Sequence, residues 1–469
     1  MPEAAADTQQ PAPLAAGIWS PAYRLLTTGL LLVVTASAFE SLAVATTLPV
    51  IVRELGGLAL YGWAFSAFML ANLLGIILAG QAADRYGPLP PLTIGTGVFV
   101  LGLVGGGLAS AMPFLIVSRA VQGLGGGLLT ATIYVAIGRS YPDSIRARML
   151  ASLSSAWILP GLIGPAVAAL VAEHLGWRWV FLGLIPLPLL ALPLVWPALQ
   201  SLRQPAPEAT YAWRLLYDAL QLTLGVGLLL TGLSTVSSWR LTALGLLGAG
   251  LSLHALRRLT PPGTLRAALG LPATIATMGL LTLAFFGVDV FIPLALTTGR
   301  DQRPWVSGLA YAATALGWAA GAWSIEPLAR RHSRRALVLI GLLLVAFGTV
   351  LMITTTWPTV PALLAIPGWG VAGLGMGFAY TTISLTVLEL APLGREGAAT
   401  AAMQLADRIG TALGAGLGGV IIGATSADLT TLNTDIARQY LLMLAIVCLT
   451  GWVARRLPGR AAITSHVDG

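Results

Sequence analysis

Long apolar segments follow one another along almost the whole chain, separated by short polar connections. A helix needs about 20 apolar residues to cross the ~30 Å hydrocarbon core of a bilayer. Because lipid offers no hydrogen-bond partners to the backbone, such segments are expected to be helical. The pattern predicts fourteen spans, at residues 24–50, 60–82, 91–111, 113–138, 149–172, 178–197, 218–236, 240–257, 271–297, 305–327, 335–356, 361–388, 400–424 and 439–457.

The two halves of the chain share a glycine motif at an offset of 250 residues. Gly123–Gly127 recurs as Gly373–Gly377, and Thr132 recurs as Thr382. Repeats of this kind are typical of membrane transporters built from two parallel bundles. The predicted fold class is therefore an all-α polytopic membrane protein with two six-helix bundles. The seventh and eighth spans form two extra central helices.

The predicted domain organisation follows from the spans and the repeat. The first 20 residues lack an apolar core and do not resemble a signal peptide. The units are a disordered N-terminal tail at 1–20, an N-terminal six-helix bundle at 21–197, a cytoplasmic linker at 198–217, two additional transmembrane helices at 218–257, a cytoplasmic loop at 258–270, a C-terminal six-helix bundle at 271–457 and a C-terminal tail at 458–469.

Charge and composition narrow the class of protein. Hydrophobic residues make up 56% and charged residues 9%, whereas soluble domains carry about 25% charged residues. All 26 basic residues are arginine, and the predicted spans place eighteen of them on the side of both termini and six on the other. This bias predicts cytoplasmic termini, and arginines in short loops argue against a nucleic-acid partner. No metal-ligand, nucleotide-binding or nucleophile motif appears, so neither a cofactor nor an enzyme is expected.

Three motifs carry a family resemblance. The loop after the second span reads Gly80-Gln-Ala-Ala-Asp-Arg-Tyr-Gly87, the fourth span contains Arg119–Gly123, and the fifth contains Gly161–Ala169. Together they resemble the major facilitator superfamily, and the fourteen spans are similar to its 14-helix drug:proton antiporter branch. Prolines replace the basic residues that usually follow Gly87, and alanines replace the paired glycines that usually end the third motif.

The resemblance implies roles for these motifs and a location. Gly80, Asp84, Arg85 and Gly87 would form a cytoplasmic gating latch, in which Asp84 pairs with an arginine across the bundle interface. Gly161, Gly164 and Pro165 would form the antiporter motif, where small residues let helices approach closely. The protein would reside in a bacterial cytoplasmic (inner) membrane.

Ionisable residues inside the spans are candidates for proton coupling, because charges in a bilayer usually face a cavity. The candidates are Glu40, Arg119, Asp289, Asp407 and Arg408. Glu40 and Arg119 lie at different depths in the membrane, and their long side chains can span the difference. A static salt bridge explains such a pair as well as proton coupling does. Asp289 lies four residues before Pro293, which is expected to bend the helix, so the carboxylate can line a cavity. A position of Asp289 in the outer vestibule is the alternative. Arg408 is a possible partner of either carboxylate.

The remaining spans are apolar and rich in aromatic residues, which can stack on flat or cationic molecules. Candidate cavity residues are Phe39, Gln122, Tyr134, Trp157, Phe286, Tyr311, Tyr380 and Gln404. The predicted function is secondary active, proton-coupled export of hydrophobic or cationic drug-like compounds by alternating access. The partners are a hydrophobic or amphiphilic small molecule, protons and membrane lipids, with a monomer as the functional unit. One alternative is an exporter of lipids or other amphiphiles, and a remote one is a non-transporting scaffold or sensor.

Overall fold

The computed structural model describes residues 17–202, 213–233, 239–329, 331–392, 395–425 and 431–459, and their regular secondary structure is helical. The α-helices are α1 (Arg24–Leu55), α2 (Tyr61–Tyr86), α3 (Leu89–Gly107), α4 (Met112–Ser140), α5 (Asp143–Ser155), α6 (Ile158–His174), α7 (Arg178–Leu182), α8 (Pro186–Gln200), α9 (Trp213–Leu233), α10 (Trp239–Leu259), α11 (Leu271–Asp289), α12 (Ile292–Leu294), α13 (Pro304–Trp323), α14 (Ile325–Ala329), α15 (Arg334–Thr354), α16 (Ala365–Leu390), α17 (Glu396–Thr425) and α18 (Leu432–Ala454). Within these residues, eleven helical segments are long and apolar enough to cross a membrane.

The two halves of the chain repeat one packing arrangement. Helix α4 packs between α2 and α3, and α16 packs in the same way between α13 and α15. The shared glycines lie at these contacts: a Cβ at Gly123 would collide with the Phe68 carbonyl of α2, and one at Gly373 with the Thr314 carbonyl of α13. Glycine lets the backbones touch at matching places in both halves. The predicted fold class, two helical bundles with an inserted pair, is confirmed.

The inserted pair α9–α10 covers the seam between the bundles. Its two helices meet backbone to backbone at Gly232 and Gly245. On the N-terminal bundle, the Thr223 hydroxyl donates a hydrogen bond to the Leu70 carbonyl of α2 at 3.4 Å. On the C-terminal bundle, Leu230 packs against Gly416 of α17. The pair is therefore in contact with both bundles.

The predicted spans differ from the helices at several places. The fifth span is broken at Ala156 and Trp157, giving α5 and α6. Pro160 explains the break, because its ring clashes with the carbonyl four residues earlier and its nitrogen cannot donate. The tenth span ends earlier than predicted, at Trp323, where the short helix α14 follows. Helices α10 and α13 occupy predicted spans but are less apolar than the eleven that qualify.

Some predicted segments lie partly outside the described residues. These are the N-terminal tail at 1–20, the linker at 198–217 and the C-terminal tail at 458–469, of which 1–16, 203–212 and 460–469 are not described. The first helix of the inserted pair begins at Trp213, five residues before its predicted start at 218.

Candidate functional site

A buried ion pair joins α1 and α4 at the centre of the N-terminal bundle. Nη1 of Arg119 donates to Oε1 of Glu40 and, at 2.6 Å, to Oε1 of Gln122. Nε of Arg119 donates to the Ala64 carbonyl of α2 at 3.1 Å. Glu40 and Gln122 are 0% exposed and Arg119 is 2% exposed. One guanidinium therefore holds three helices together.

The same network contains polar atoms that have no hydrogen-bond partner. Oε2 of Glu40 and Nε2 of Gln122 are buried and unpaired. Unpaired buried polar atoms are rare because each costs about 1–3 kcal/mol. The Arg119 guanidinium also lies 4.3 Å from the centre of the Phe68 ring, which shields it from water. The free Glu40 oxygen is a position where a proton can bind without breaking the existing hydrogen bonds.

A break in the ninth predicted span presents Asp289 to the interior. Pro293 removes the donor for the carbonyl four residues earlier, and α11 ends at Asp289. The Tyr311 hydroxyl donates to the freed Asp289 carbonyl at 2.9 Å. Nε1 of Trp369 donates to Oδ1 of the Asp289 side chain at 2.7 Å. The second carboxylate site is thus held by α13 and α16.

An aromatic cluster adjoins Asp289. It consists of Phe285, Phe286, Trp318, Trp369 and Tyr380. Phe285 stacks on Trp369 with ring centres 4.8 Å apart and meets Trp318 and Phe286 edge-to-face at 5.8 Å and 5.3 Å. Trp318 and Tyr380 are 5.5 Å apart. Three members, Phe286, Trp318 and Tyr380, are partly exposed, so the cluster offers aromatic faces beside a carboxylate.

Sequence reasoning missed Trp369, which joins the carboxylate to the aromatic cluster. Its only signal is position, four residues before Gly373 and so one helical turn from the repeated motif. Tyr61 was also missed. Its hydroxyl donates to the Val290 carbonyl at 3.2 Å, and this contact joins the two bundles at the C-terminal end of α11.

Asp407 and Arg408 point to different neighbours. The buried Asp407 carboxylate lies against the Tyr380 hydroxyl. Nη1 of Arg408 lies 3.9 Å from Sδ of Met69 on α2. Arg408 therefore reaches the other bundle. It pairs with neither Glu40 nor Asp289, although the sequence leaves both open as its partners. Arg119 is closer to Glu40 because their helices belong to the same bundle.

The antiporter motif lies on α6 of the N-terminal bundle, where this helix packs against α1 of the same bundle and α13 of the other. A Cβ at Gly161 would stand 2.9 Å from Cβ of Ala315 on α13. Gly164 faces the Phe39 ring of α1, and Pro165 packs against Gly308 of α13. The small residues thus permit close packing across the bundle interface.

The candidate cavity residues are not equally accessible. Tyr134 on α4 is 57% exposed, and Trp157, which directly precedes α6, is 49% exposed. Phe286, Tyr380 and Gln404 are partly exposed. The other three side chains make contacts within the protein. Gln122 belongs to the ion-pair network, Tyr311 donates to the Asp289 carbonyl, and Phe39 packs on Gly164.

The two bundles are in close contact at the start of α2. The Tyr61 and Phe291 rings are 5.3 Å apart, and Gly62 at the start of α2 touches the backbone of α17 at Ala415. At the other end of α2, by contrast, the Asp84 side chain is 66% exposed.

Comparison with known proteins identifies the family. A family model described as Major Facilitator Superfamily matches residues 30–415 and 306–465. The chain belongs to the Major Facilitator Superfamily. With its apolar helices, this membership makes it an integral membrane protein of a transporter family.

Individual superfamily members resemble most of the chain. The multidrug transporter protein MdtP of Bacillus subtilis is 26% identical over 87% of this chain and 76% of its own. The probable multidrug-efflux transporter Rv1634 of Mycobacterium tuberculosis is 25% identical over 88% of this chain and 91% of its own. A crystal structure of a POT family transporter superposes with a TM-score of 0.65 at 15% identity, covering 90% of this chain and 94% of that one, which shows a shared fold.

The superfamily motif at residues 80–87, which leads from α2 to α3, makes an ion pair within the N-terminal bundle. Oδ1 of Asp84 accepts from Nη2 of Arg139 on α4 at 3.1 Å, rather than from an arginine across the interface as predicted. The Arg85 guanidinium lies 5.3 Å from the centre of the Tyr86 ring. Gly87 ends α2 at φ 80°, a conformation that favours glycine, and Gly80 has open space beside its Cα. Among the described residues, the ion pair of Asp84 is with Arg139 of its own bundle.

Asp84→Asn is expected to slow transport several-fold while leaving the protein inserted and folded. The side chain is exposed, so its loss opens no cavity, but a neutral group pairs less strongly with the Arg139 guanidinium. Initial transport rates in liposomes measure the effect, with Glu173→Gln, which changes an exposed carboxylate near the end of α6, as the matched control. Unchanged flux at normal expression contradicts the latch.

Proposed function

We propose that this protein is a proton-coupled secondary transporter that exports hydrophobic or cationic drug-like compounds by alternating access. The observation that carries the proposal is the buried Glu40–Arg119 pair, whose second carboxylate oxygen has no partner. An intramembrane ion pair with a vacant proton position is typical of proton relays in transporters. The names of the multidrug relatives support the substrate class. We place the protein in a bacterial cytoplasmic membrane with both termini cytoplasmic.

The proton would act by weakening the contact between α1 and α4. A neutral Glu40 loses its charge attraction to Arg119, while a charged one holds α1 against the helices that carry Arg119 and Ala64. Binding of one proton can thus shift the balance between two packings of the bundle. The contact between the bundles at the start of α2 and the exposed Asp84 at the other end of this helix support a cycle in which substrate enters from the cytoplasm.

The aromatic cluster and Asp289 would form the substrate contact in the C-terminal bundle. Aromatic faces attract cations and flat rings, with a contribution of about 0.5–2 kcal/mol for each cation contact. Asp289 adds a negative charge that Trp369 holds in place. A flat organic cation fits this chemistry better than a phospholipid, because the headgroup phosphate would approach the carboxylate.

The test measures accumulation in proteoliposomes under an imposed pH gradient. A permeant cationic dye, a neutral analogue of the same dye and a fluorescent phospholipid are compared, with and without a protonophore. The cationic dye is expected to accumulate, and the protonophore to abolish the accumulation. Asp289→Asn is expected to reduce uptake of the cation by about tenfold, or ~1.4 kcal/mol, and to change the neutral analogue less.

Asp301→Asn is the matched control for this test. Asp301 is exposed beyond the same helix break at φ 50°, a conformation that asparagine tolerates well. Uptake of the cation by the Asp301→Asn variant is expected to equal uptake by the wild type. Movement of the phospholipid alone would favour the amphiphile exporter, and accumulation that persists with the protonophore would exclude proton coupling.

A further inference from the structure

A cavity of about 470 Å³ lies between the inserted pair and the C-terminal bundle. Its walls come from the cytoplasmic halves of α10, α11, α17 and α18. Most of its lining is apolar, with Leu256 on α10, Ile275, Ala276 and Leu280 on α11, and Ile409 on α17. This space is separate from the Glu40 network and from the aromatic cluster, and transport chemistry has no evident use for it.

The cavity extends through most of one leaflet of a bilayer. On α11 its lining runs from Ile275 to Leu283, a distance of eight residues. At 1.5 Å per residue this is about 12 Å, and half of a ~30 Å hydrocarbon core is about 15 Å. The apolar space therefore has room for most of the length of one lipid acyl chain.

Two arginines stand at the cytoplasmic mouth of the cavity. Arg266 is exposed on the loop before α11, and Arg456 follows the end of α18. Nη1 of Arg456 donates to the carbonyls of Arg266 and Ala267 at 2.8 Å and 3.0 Å, which fixes the loop to α18. The described lining residues contain no carboxylate. The mouth thus combines positive charge with an apolar interior.

We propose that this cavity binds one anionic glycerophospholipid of the cytoplasmic leaflet. The phosphate lies at Arg266 and Arg456, and an acyl chain fills the space between α10 and α11. Basic pockets between transmembrane helices on the cytoplasmic side are suited to anionic headgroups. A cationic drug would be repelled by the two arginines, and a soluble phosphate would leave the apolar depth empty. The lipid is a bound component that joins the inserted pair to the bundle, and it is not transported.

The test is native mass spectrometry of the purified full-length protein after delipidation. Dioleoyl-phosphatidylglycerol is compared with dioleoyl-phosphatidylcholine, which has the same chains, and with glycerol phosphate, which has none. The phosphatidylglycerol is expected to bind about tenfold or more tightly than the phosphatidylcholine. Arg266→Gln is expected to weaken its binding about fivefold, and addition of Arg456→Gln about 30-fold in total, since each arginine contributes ~1 kcal/mol.

Two further variants separate the site from general charge effects. Arg257→Gln removes an exposed arginine at the cytoplasmic end of α10 that does not line the cavity, and it is expected to leave the affinity unchanged. Ala276→Phe fills the apolar space and is expected to reduce binding of both lipids. Equal binding of the two lipids, an equal loss in Arg257→Gln and Arg266→Gln, or displacement by glycerol phosphate would each overturn the proposal. Because Arg266 is exposed, its variant gives a result even if Ala276→Phe does not fold.

Discussion

Glu40→Gln is expected to abolish uphill, pH-gradient-driven export while preserving downhill exchange of substrate. Glutamine has nearly the volume of glutamate and can still accept the hydrogen bond from Arg119, so the protein is expected to fold, but the charge attraction between α1 and α4 is lost permanently. It cannot exchange a proton and resembles the protonated carboxyl permanently. Substrate can then move down its gradient, but no proton gradient can drive it. Substrate accumulation and proton flux in liposomes at several pH values measure the effect.

Glu54→Gln is the matched control for this prediction. Glu54 lies on the same helix but is half exposed near the C-terminal end of α1, where it pairs with Arg178 at 2.5 Å. Its substitution is expected to leave proton-driven accumulation intact. If Glu40→Gln retains full accumulation and Asp289→Asn loses it, the coupling site lies in the second bundle. If both variants retain it, neither carboxylate carries the coupled proton.

Arg119→Met is expected to destabilise the protein more than any other single substitution considered for the site. It leaves the buried Glu40 without its positive partner and removes the donor to Gln122 and to the Ala64 carbonyl. Removal of one member of a buried ion pair costs about 3–5 kcal/mol. Glu40→Gln combined with Arg119→Met leaves no unpaired charge, so the double variant is expected to recover a large part of this loss.

Thermal unfolding of the four variants in detergent gives the coupling between the two residues as a double-mutant cycle. The control is Arg178→Met, which removes an arginine from the half-exposed pair with Glu54. Exposed pairs contribute about 0–1 kcal/mol, so its midpoint is expected to stay close to that of the wild type. A double variant that is as unstable as the sum of the two single ones would show that Glu40 and Arg119 are not energetically coupled.

The helical spans and the repeat could be predicted because their signals are local. The length and hydrophobicity of a segment indicate whether it can span a membrane, independently of the neighbouring helices. The repeated glycines were visible because each close contact, such as that of Gly123 with the Phe68 carbonyl, requires a residue without a side chain. The break of the fifth span has a local cause as well, because Pro160 cannot donate to the Ala156 carbonyl four residues earlier.

The pairing of the charged groups depended on tertiary structure. The sequence offered Arg119 and Arg408 as partners for Glu40, and both lie in apolar spans. The packing of α1, α2 and α4 brings Arg119 to Glu40, while the position of α17 directs Arg408 to Met69. Helix rotation and interhelical distance decide such contacts, and neither follows from residue spacing along the chain.

By itself the sequence determined that this chain is a helical membrane protein with two related halves, and it supplied the few intramembrane charges. Hydrophobic length and the cost of burying charge act on each segment separately, so they can be recognised one segment at a time. Only the tertiary structure decided that Trp369 holds Asp289, that Asp84 pairs within its own bundle, and that a cavity lies beside α10. These features arise between helices far apart in the chain, where packing selects one arrangement among several that the sequence pattern allows.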